Sequence, residues 1–112
     1  MIQVPSTTVA ELPATLPDNV VLLDVREDDE WAAGHAPDAV HIPMGEVPAR
    51  LDELPAEGEL LVTCKAGGRS ARVVAFLQQA GRASVNLDGG MASWAAAGRP
   101  LEADGTAAPD II

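Results

Sequence analysis

Apolar residues fall along this chain in short dense runs, separated by polar stretches that contain Gly and Pro. Val20 to Val25 is one such run, interrupted only by Asp24, and its length and β-branched content predict a buried strand. Ala39 to Ile42, Leu60 to Thr63 and Ser84 to Leu87 read the same way, and Ile2 to Val4 starts a further strand that Pro5 breaks. Between these runs the spacing changes to a helical one. Ser70 to Ala80 is the clearest helix, with Val73, Val74, Phe76, Leu77 and Ala80 on an apolar face and Gly81 placed to end it. Shorter helical segments are expected from a Ser6 or Thr7 cap through Leu12, over Glu27 to Ala33 with Gly34 as the stop, over Val47 to Leu54, and over Met91 to Ala97 before Gly98 and Pro100. Residues after Leu101 are small and polar, so a core domain over 1–101 and a frayed tail over 102–112 are expected.

Strands alternating with helices predict an α/β fold: a mostly parallel central sheet of about five short strands with helices on both faces. A length of 112 residues suits one domain. Hydrophobic residues make up 47% of the chain but aromatics only 3%, so the core must be aliphatic. The net charge of −10 argues against nucleic acid and anionic membranes as partners, because both require clustered Lys and Arg. No apolar run is long enough to span a bilayer and no signal peptide is visible. With a single cysteine and therefore no internal disulfide, a reducing, cytoplasmic setting is expected.

That cysteine is the most informative residue. In Cys64-Lys65-Ala66-Gly67-Gly68-Arg69-Ser70 the only thiol stands where a buried strand ends and a helix begins. Ligands of open α/β sheets bind at this carboxyl edge, and the first helical turn offers free N–H groups and the positive end of the dipole. Both favour thiolate over thiol. Gly67 and Gly68 allow the loop to curl its N–H groups into an anion-binding nest, Lys65 and Arg69 add positive charge, and Ser70 can cap the helix or donate into the loop. An isolated cysteine at a strand end would more simply be an inert core residue; the surrounding loop is what argues for chemistry. One Cys and two His, His35 and His41, form no metal-ligand spacing. Gly89-Gly90 before the last helix could bind an anion or simply make a tight turn.

The loop resembles the C-x-x-G-x-R-S active-site loop of rhodanese-like sulfurtransferases. Leu23-Asp24-Val25-Arg26-Glu27 with Glu30-Trp31 and Gly34-His35 is similar to that family's N-terminal signature, Ile42-Pro43 to the pair that follows, and Leu87-Asp88-Gly89-Gly90, Trp94 and Gly98-Arg99-Pro100-Leu101 to its C-terminal segment. Ala36, Asp38 and His41 depart from the usual pattern, in a turn outside the loop. The resemblance implies a rhodanese-like fold and a thiosulfate sulfurtransferase. Cys64 would carry sulfane sulfur as a persulfide, and Lys65, Ala66, Gly67, Gly68, Arg69 and Ser70 would cradle it. Arg69 would bind the anionic donor or orient the loop, and Asp24 and Arg26 would hold the scaffold together, as a buried ion pair or hydrogen-bond network. His35 would be a turn element, and Trp94 a core anchor. No cofactor is implied. The implied partners are a small anionic sulfur donor and a thiol or cyanide acceptor, or an acceptor protein of thioredoxin-like type. Two rivals stand beside this reading: a non-catalytic binding or sulfur-sensing domain, and a phosphatase or arsenate reductase. The latter use a C-x5-R loop, whereas only four residues separate Cys64 from Arg69.

Overall fold

The continuous apolar runs become strands buried on both faces. In the computed structural model, which describes residues 4–112, β1 (Ser6–Thr8), β2 (Val20–Asp24), β3 (Val40–His41), β4 (Glu59–Thr63) and β5 (Ser84–Asp88) form one sheet in the order β1-β5-β4-β2-β3. Every pairing is parallel. Side chains alternate across the two middle strands. Leu23, Leu60 and Val62 pack on one face with Val73, Val74 and Leu77 of α2 (Gly68–Gln79), with Val47 of a kinked 3-10 stretch, Met44–Glu53, and with Leu54 just after it. Leu22, Leu61 and Leu87 pack on the other face with Met91 and Trp94 of α3 (Gly90–Ala96). Each such side chain taken fully from water contributes roughly 1.5–3 kcal/mol, which explains how an aliphatic core suffices. Trp94 is buried and its indole N–H donates to the Pro100 carbonyl at 2.9 Å.

Two expected elements differ. Ser6–Thr8 is a strand, not the start of a helix, and only Val9–Glu11 is helical, as one 3-10 turn whose Thr8 N-cap makes no side-chain cap bond. The exposed ladder edge of β5 recruits these residues: Ser6 pairs with Asn86, and the Asn86 N–H donates to the Pro5 carbonyl at 2.8 Å. Tertiary pairing thus overrides the capping preference of Ser and Thr. Of the strand expected at Ile2 to Val4, residues 1–3 lie outside the described residues, and Val4 belongs to no element.

The segment after Leu101, expected to fray, is tied to α1 (Asp28–Ala33) and the turn beyond it. Glu102 and His35 exchange backbone hydrogen bonds at 2.9 and 2.8 Å, the Asp104 N–H donates to the Ala32 carbonyl, and the Asp110 N–H to that of Ala33. A helix of six residues leaves its last carbonyls without internal partners, and the returning chain supplies them. Ile111 adds an apolar contact to the α3-side core.

The register aligns the carboxyl ends of the middle strands. Asp24 lies opposite both Thr63 and His41. From β4 the chain passes to β5 on one side, and from β2 to β3 on the other, so the strand order reverses between β2 and β4, where such sheets form their ligand crevice. Cys64 and Arg26 emerge there. Arg26 and Asp24 are both fully buried and joined by a 2.7 Å ion pair. The Arg26 guanidinium also donates to the carbonyls of Gly34, at 2.7 Å, and Glu30, at 3.3 Å. It therefore ties α1 to the end of β2, as the sequence led us to expect of this pair. Arg26→Met leaves Asp24 buried without its counter-ion and is expected to cost about 3–5 kcal/mol, read as a lower denaturant midpoint.

Candidate functional site: the Cys64 loop

β4 delivers Cys64 to the carboxyl edge of the sheet, where the residue is only 1% exposed. Its Sγ accepts from the Gly67 N–H at 3.1 Å and from the Ser70 hydroxyl at 3.3 Å. Burial pushes the thiol pKa up, but hydrogen bonds from the Ser70 side chain and from the N–H groups of Ser70, Gly67 and Ala66 outweigh it. The net effect lowers the pKa below the ordinary thiol range and favours the thiolate. Ser70 is the third residue of α2, and its hydroxyl is directed into the loop.

The loop is held from behind. The Met91 N–H donates to the Cys64 carbonyl at 2.8 Å, and the Ala92 N–H to the Lys65 carbonyl at 2.9 Å. These are first-turn donors of α3, which have no acceptor within their own helix. With both carbonyls drawn toward α3, the peptides that follow turn their N–H groups toward the sulfur. The Gly89-Gly90 turn thus serves the loop through the N–H groups it presents to these carbonyls. Gly90, at φ 53°, is required by this approach: a Cβ there would fall on the Cys64 carbonyl oxygen and 2.7 Å from the Lys65 carbonyl carbon. Asn86 fixes the far end, its amide donating to the Gly67 carbonyl at 3.2 Å.

Of the two loop glycines only Gly67, at φ 107°, adopts a conformation that other residues resist. Gly68 is the first residue of α2 and has open space around it, so the expected need for a second flexible glycine does not hold. Lys65 and Ala66 are exposed at the rim, and Lys65 makes no ion pair among the described residues.

Arg69 is engaged by Glu30. Its two terminal nitrogens grip that carboxylate at 2.7 and 2.9 Å, a bidentate pair between α2 and α1. Arg69 holds the Glu30 carboxyl at about 2, against the opposing effect of burial and with help from the Glu27 N–H. Glu30 in turn raises the Arg69 pKa, with a smaller contribution from the Cys64 charge. The pair's stabilisation is complete above the ordinary carboxylate range and is lost as the pH falls toward 2. Glu30 also completes a capping box with Glu27 at the start of α1. Sequence reasoning passed over this residue; its one signal was its place in the Glu30-Trp31 pair.

His35 and His41 stack on Trp31, at ring separations of 3.7 and 4.7 Å. His35 Nδ1 lies 2.7 Å from the Trp31 carbonyl oxygen, with its Nε2 3.4 Å from the Glu102 carboxylate, and His41 Nε2 lies 2.8 Å from the Arg26 carbonyl oxygen. Neither hydrogen-bonds the Cys64 sulfur, so the turn role expected of His35 agrees with its contacts. Among the described residues no group of His, Cys, Asp and Glu is gathered as for a metal, and no helix is long and apolar enough to cross a membrane.

A parallel sheet whose central strand feeds a cysteine into a strand-to-helix nest of N–H groups defines an α/β domain built around a thiolate loop. Comparison with known proteins gives the family: the Rhodanese-like domain family matches residues 8–97, and the chain belongs to it. It is 39% identical over 87 residues to a sulfurtransferase of Allochromatium vinosum, covering 77% of this chain and 81% of that protein. Among solved structures it is similar to a rhodanese-related protein of Thermoplasma volcanium (TM-score 0.80, 33% identity, covering 88% of this chain and 97% of that one). It is similar also to a rhodanese-like domain protein of Staphylococcus aureus (TM-score 0.72, 37% identity, covering 80% and 90%).

Two outcomes are expected from the loop geometry. Ser70→Ala removes a donor to the sulfur, so the Cys64 pKa rises and less thiolate is present at neutral pH, as read by an ultraviolet thiolate titration. Gly90→Ala costs at least the ~1–3 kcal/mol of a strained left-handed residue and also raises the thiol pKa, whereas Gly68→Ala changes neither the melting temperature nor the titration.

Proposed function

We propose that the protein is a sulfurtransferase that carries sulfane sulfur on Cys64. The observation that carries this reading is the buried Cys64 sulfur, which accepts N–H and O–H donors at the end of the central strand. With a donor such as thiosulfate, the Cys64 thiolate attacks the outer sulfur. A Cys64 S–S bond forms, the S–S bond of thiosulfate breaks, and sulfite leaves with the electron pair. The same N–H groups stabilise the terminal sulfur anion by preorganised electrostatics. A nucleophile then takes the outer sulfur and regenerates the thiolate, a two-step ping-pong cycle. Cyanide serves as acceptor in an assay. A cellular thiol, or a thioredoxin-like or other sulfur-acceptor protein, would serve in vivo, in the cytoplasm.

Membership of the rhodanese-like family and the likeness to the A. vinosum sulfurtransferase support this reading. The loop length supports it against phosphate chemistry: four residues between Cys64 and Arg69 make a smaller cradle than C-x5-R. It suits one terminal sulfur better than a tetrahedral oxyanion. Within this reading Cys64 is the catalytic residue, and Lys65, Ala66, Gly67, Gly68, Arg69 and Ser70 form the substrate-binding loop.

Intact-mass spectrometry after incubation with thiosulfate, without reductant, tests the proposal. The expected result is a gain of one sulfur atom that cyanide reverses and that Cys64→Ser lacks. No gain with thiosulfate, mercaptopyruvate or polysulfide would instead indicate a binding or sensing domain. Because the thiolate is the nucleophile and its pKa is lowered, the loading rate should rise with pH to a plateau, with its midpoint below that of an ordinary thiol.

A further inference from the structure

The proposed chemistry leaves one feature of the loop unexplained. Its arginine, the residue best suited to bind an anionic donor, is already occupied. Both terminal nitrogens of Arg69 lie on the Glu30 carboxylate. Glu30 is only 14% exposed on its side chain, against 33% for Arg69, so the pair is partly withdrawn from solvent and weakly screened. The carboxylate is further fixed by the Glu27 N–H at 3.1 Å. A bidentate pair of this kind has no net charge, and the remaining groups do not restore a positive mouth. Glu27 is exposed and close enough to act on Arg69. Asp88 is exposed on the other flank, its Cα 3.5 Å from where a Gly67 Cβ would lie. Within the loop itself, Lys65 is the one cation that makes no ion pair among the described residues. Glu30, Glu27 and Asp88 thus stand near the loop's two cations, Lys65 and Arg69, in a chain whose net charge is already −10.

We infer that Glu30 is a specificity-determining residue: by taking up the Arg69 fork it leaves the loop mouth without a free arginine, disfavours dianionic donors such as thiosulfate, and favours persulfides R–S–SH of low net charge. This rests on the sulfur-transfer reading of the same site and narrows its substrate class. The favoured step balances without a further reactant. The Cys64 thiolate attacks the outer sulfur of R–S–SH, a new S–S bond forms at Sγ, the donor S–S bond breaks, and RS⁻ leaves with the electron pair while the proton stays on the transferred sulfur. One negative charge enters and one leaves. With thiosulfate, by contrast, the attacking thiolate and the dianion bring three negative charges together beside Glu30, Glu27 and Asp88.

The test compares second-order rates of Cys64 persulfidation, read by quenched intact-mass spectrometry, with two donors. These are thiosulfate and the persulfide of cysteamine, whose ammonium gives it a net charge of +1 as R–S–SH and of zero when the outer sulfur is ionised, against −2 for thiosulfate. The native protein should load faster from cysteamine persulfide. Glu30→Gln frees the Arg69 charge and should shift the rate ratio toward thiosulfate about ten-fold, equivalent to about 1.4 kcal/mol. Glu30→Gln with Arg69→Gln removes both charges and should return the ratio toward the native one, an outcome that mere loosening of the loop would not produce. Should Glu30→Gln fail to fold, Arg69→Gln alone exposes an uncompensated carboxylate and should shift the ratio further against thiosulfate. An unchanged ratio in Glu30→Gln or in Arg69→Gln, or a double variant that keeps the ratio of Glu30→Gln, overturns the inference while leaving sulfur transfer intact. Absence of persulfide with both donors in the native protein overturns the transfer reading and this inference with it.

Discussion

The Met91 and Ala92 N–H groups, bonded to the carbonyls of Cys64 and Lys65, set the direction of the peptides that surround the sulfur. A peptide is a rigid plane, so pinning its carbonyl to one side commits the geometry of the chain that follows. Here that geometry points N–H groups at Cys64 Sγ, and the thiolate is favoured even though the residue is buried. Desolvation and hydrogen bonding oppose each other at this sulfur. A loop free to reorient would lose the hydrogen-bonding side of that balance and become an ordinary buried thiol.

The same constraint connects distant parts of the chain. α3 can reach the loop because β5 lies beside β4, with Leu61 opposite Val85 and Val62 opposite Asn86. It is held there by Met91 and Trp94 in the core below. On the opposite side, the buried Asp24–Arg26 pair anchors α1, and α1 presents Glu30 to Arg69. The returning chain after Leu101 supplies N–H groups to the carbonyls that α1 leaves open. The loop thus sits between two short helices, each fastened by contacts far away in sequence.

Much of this was legible from residue order. The runs 20–25 and 60–63 became strands to within about a residue, because burial on both faces demands continuous apolar stretches, and 84–87 did so with buried Ser84 and Asn86 in it. The Cys64 loop was placed correctly at a strand end, and the Asp24–Arg26 pair was anticipated as buried structure. What failed did so where a partner far along the chain decides the outcome. Ser6–Thr8 became a strand because β5 has a free edge. In the 102–112 segment the Asp104 and Asp110 N–H groups find carbonyls of α1, contacts that its own composition does not announce. The partner of Arg69, read as binding the donor or orienting the loop, was not legible either: Glu30 lies 39 residues earlier, and nothing in the loop announces it.

The sequence by itself determined the alternation of strands and helices, the aliphatic core, the acidic surface and the position of the one thiol, since these follow from local periodicity and residue chemistry. The tertiary structure alone decided how firmly the loop's donors are held on that sulfur and whether its arginine is free. Sulfur ionisation depends on N–H groups aimed within a few ångströms, and arginine availability on a carboxylate from another helix. Such distances are set by packing, which no spacing within the loop encodes.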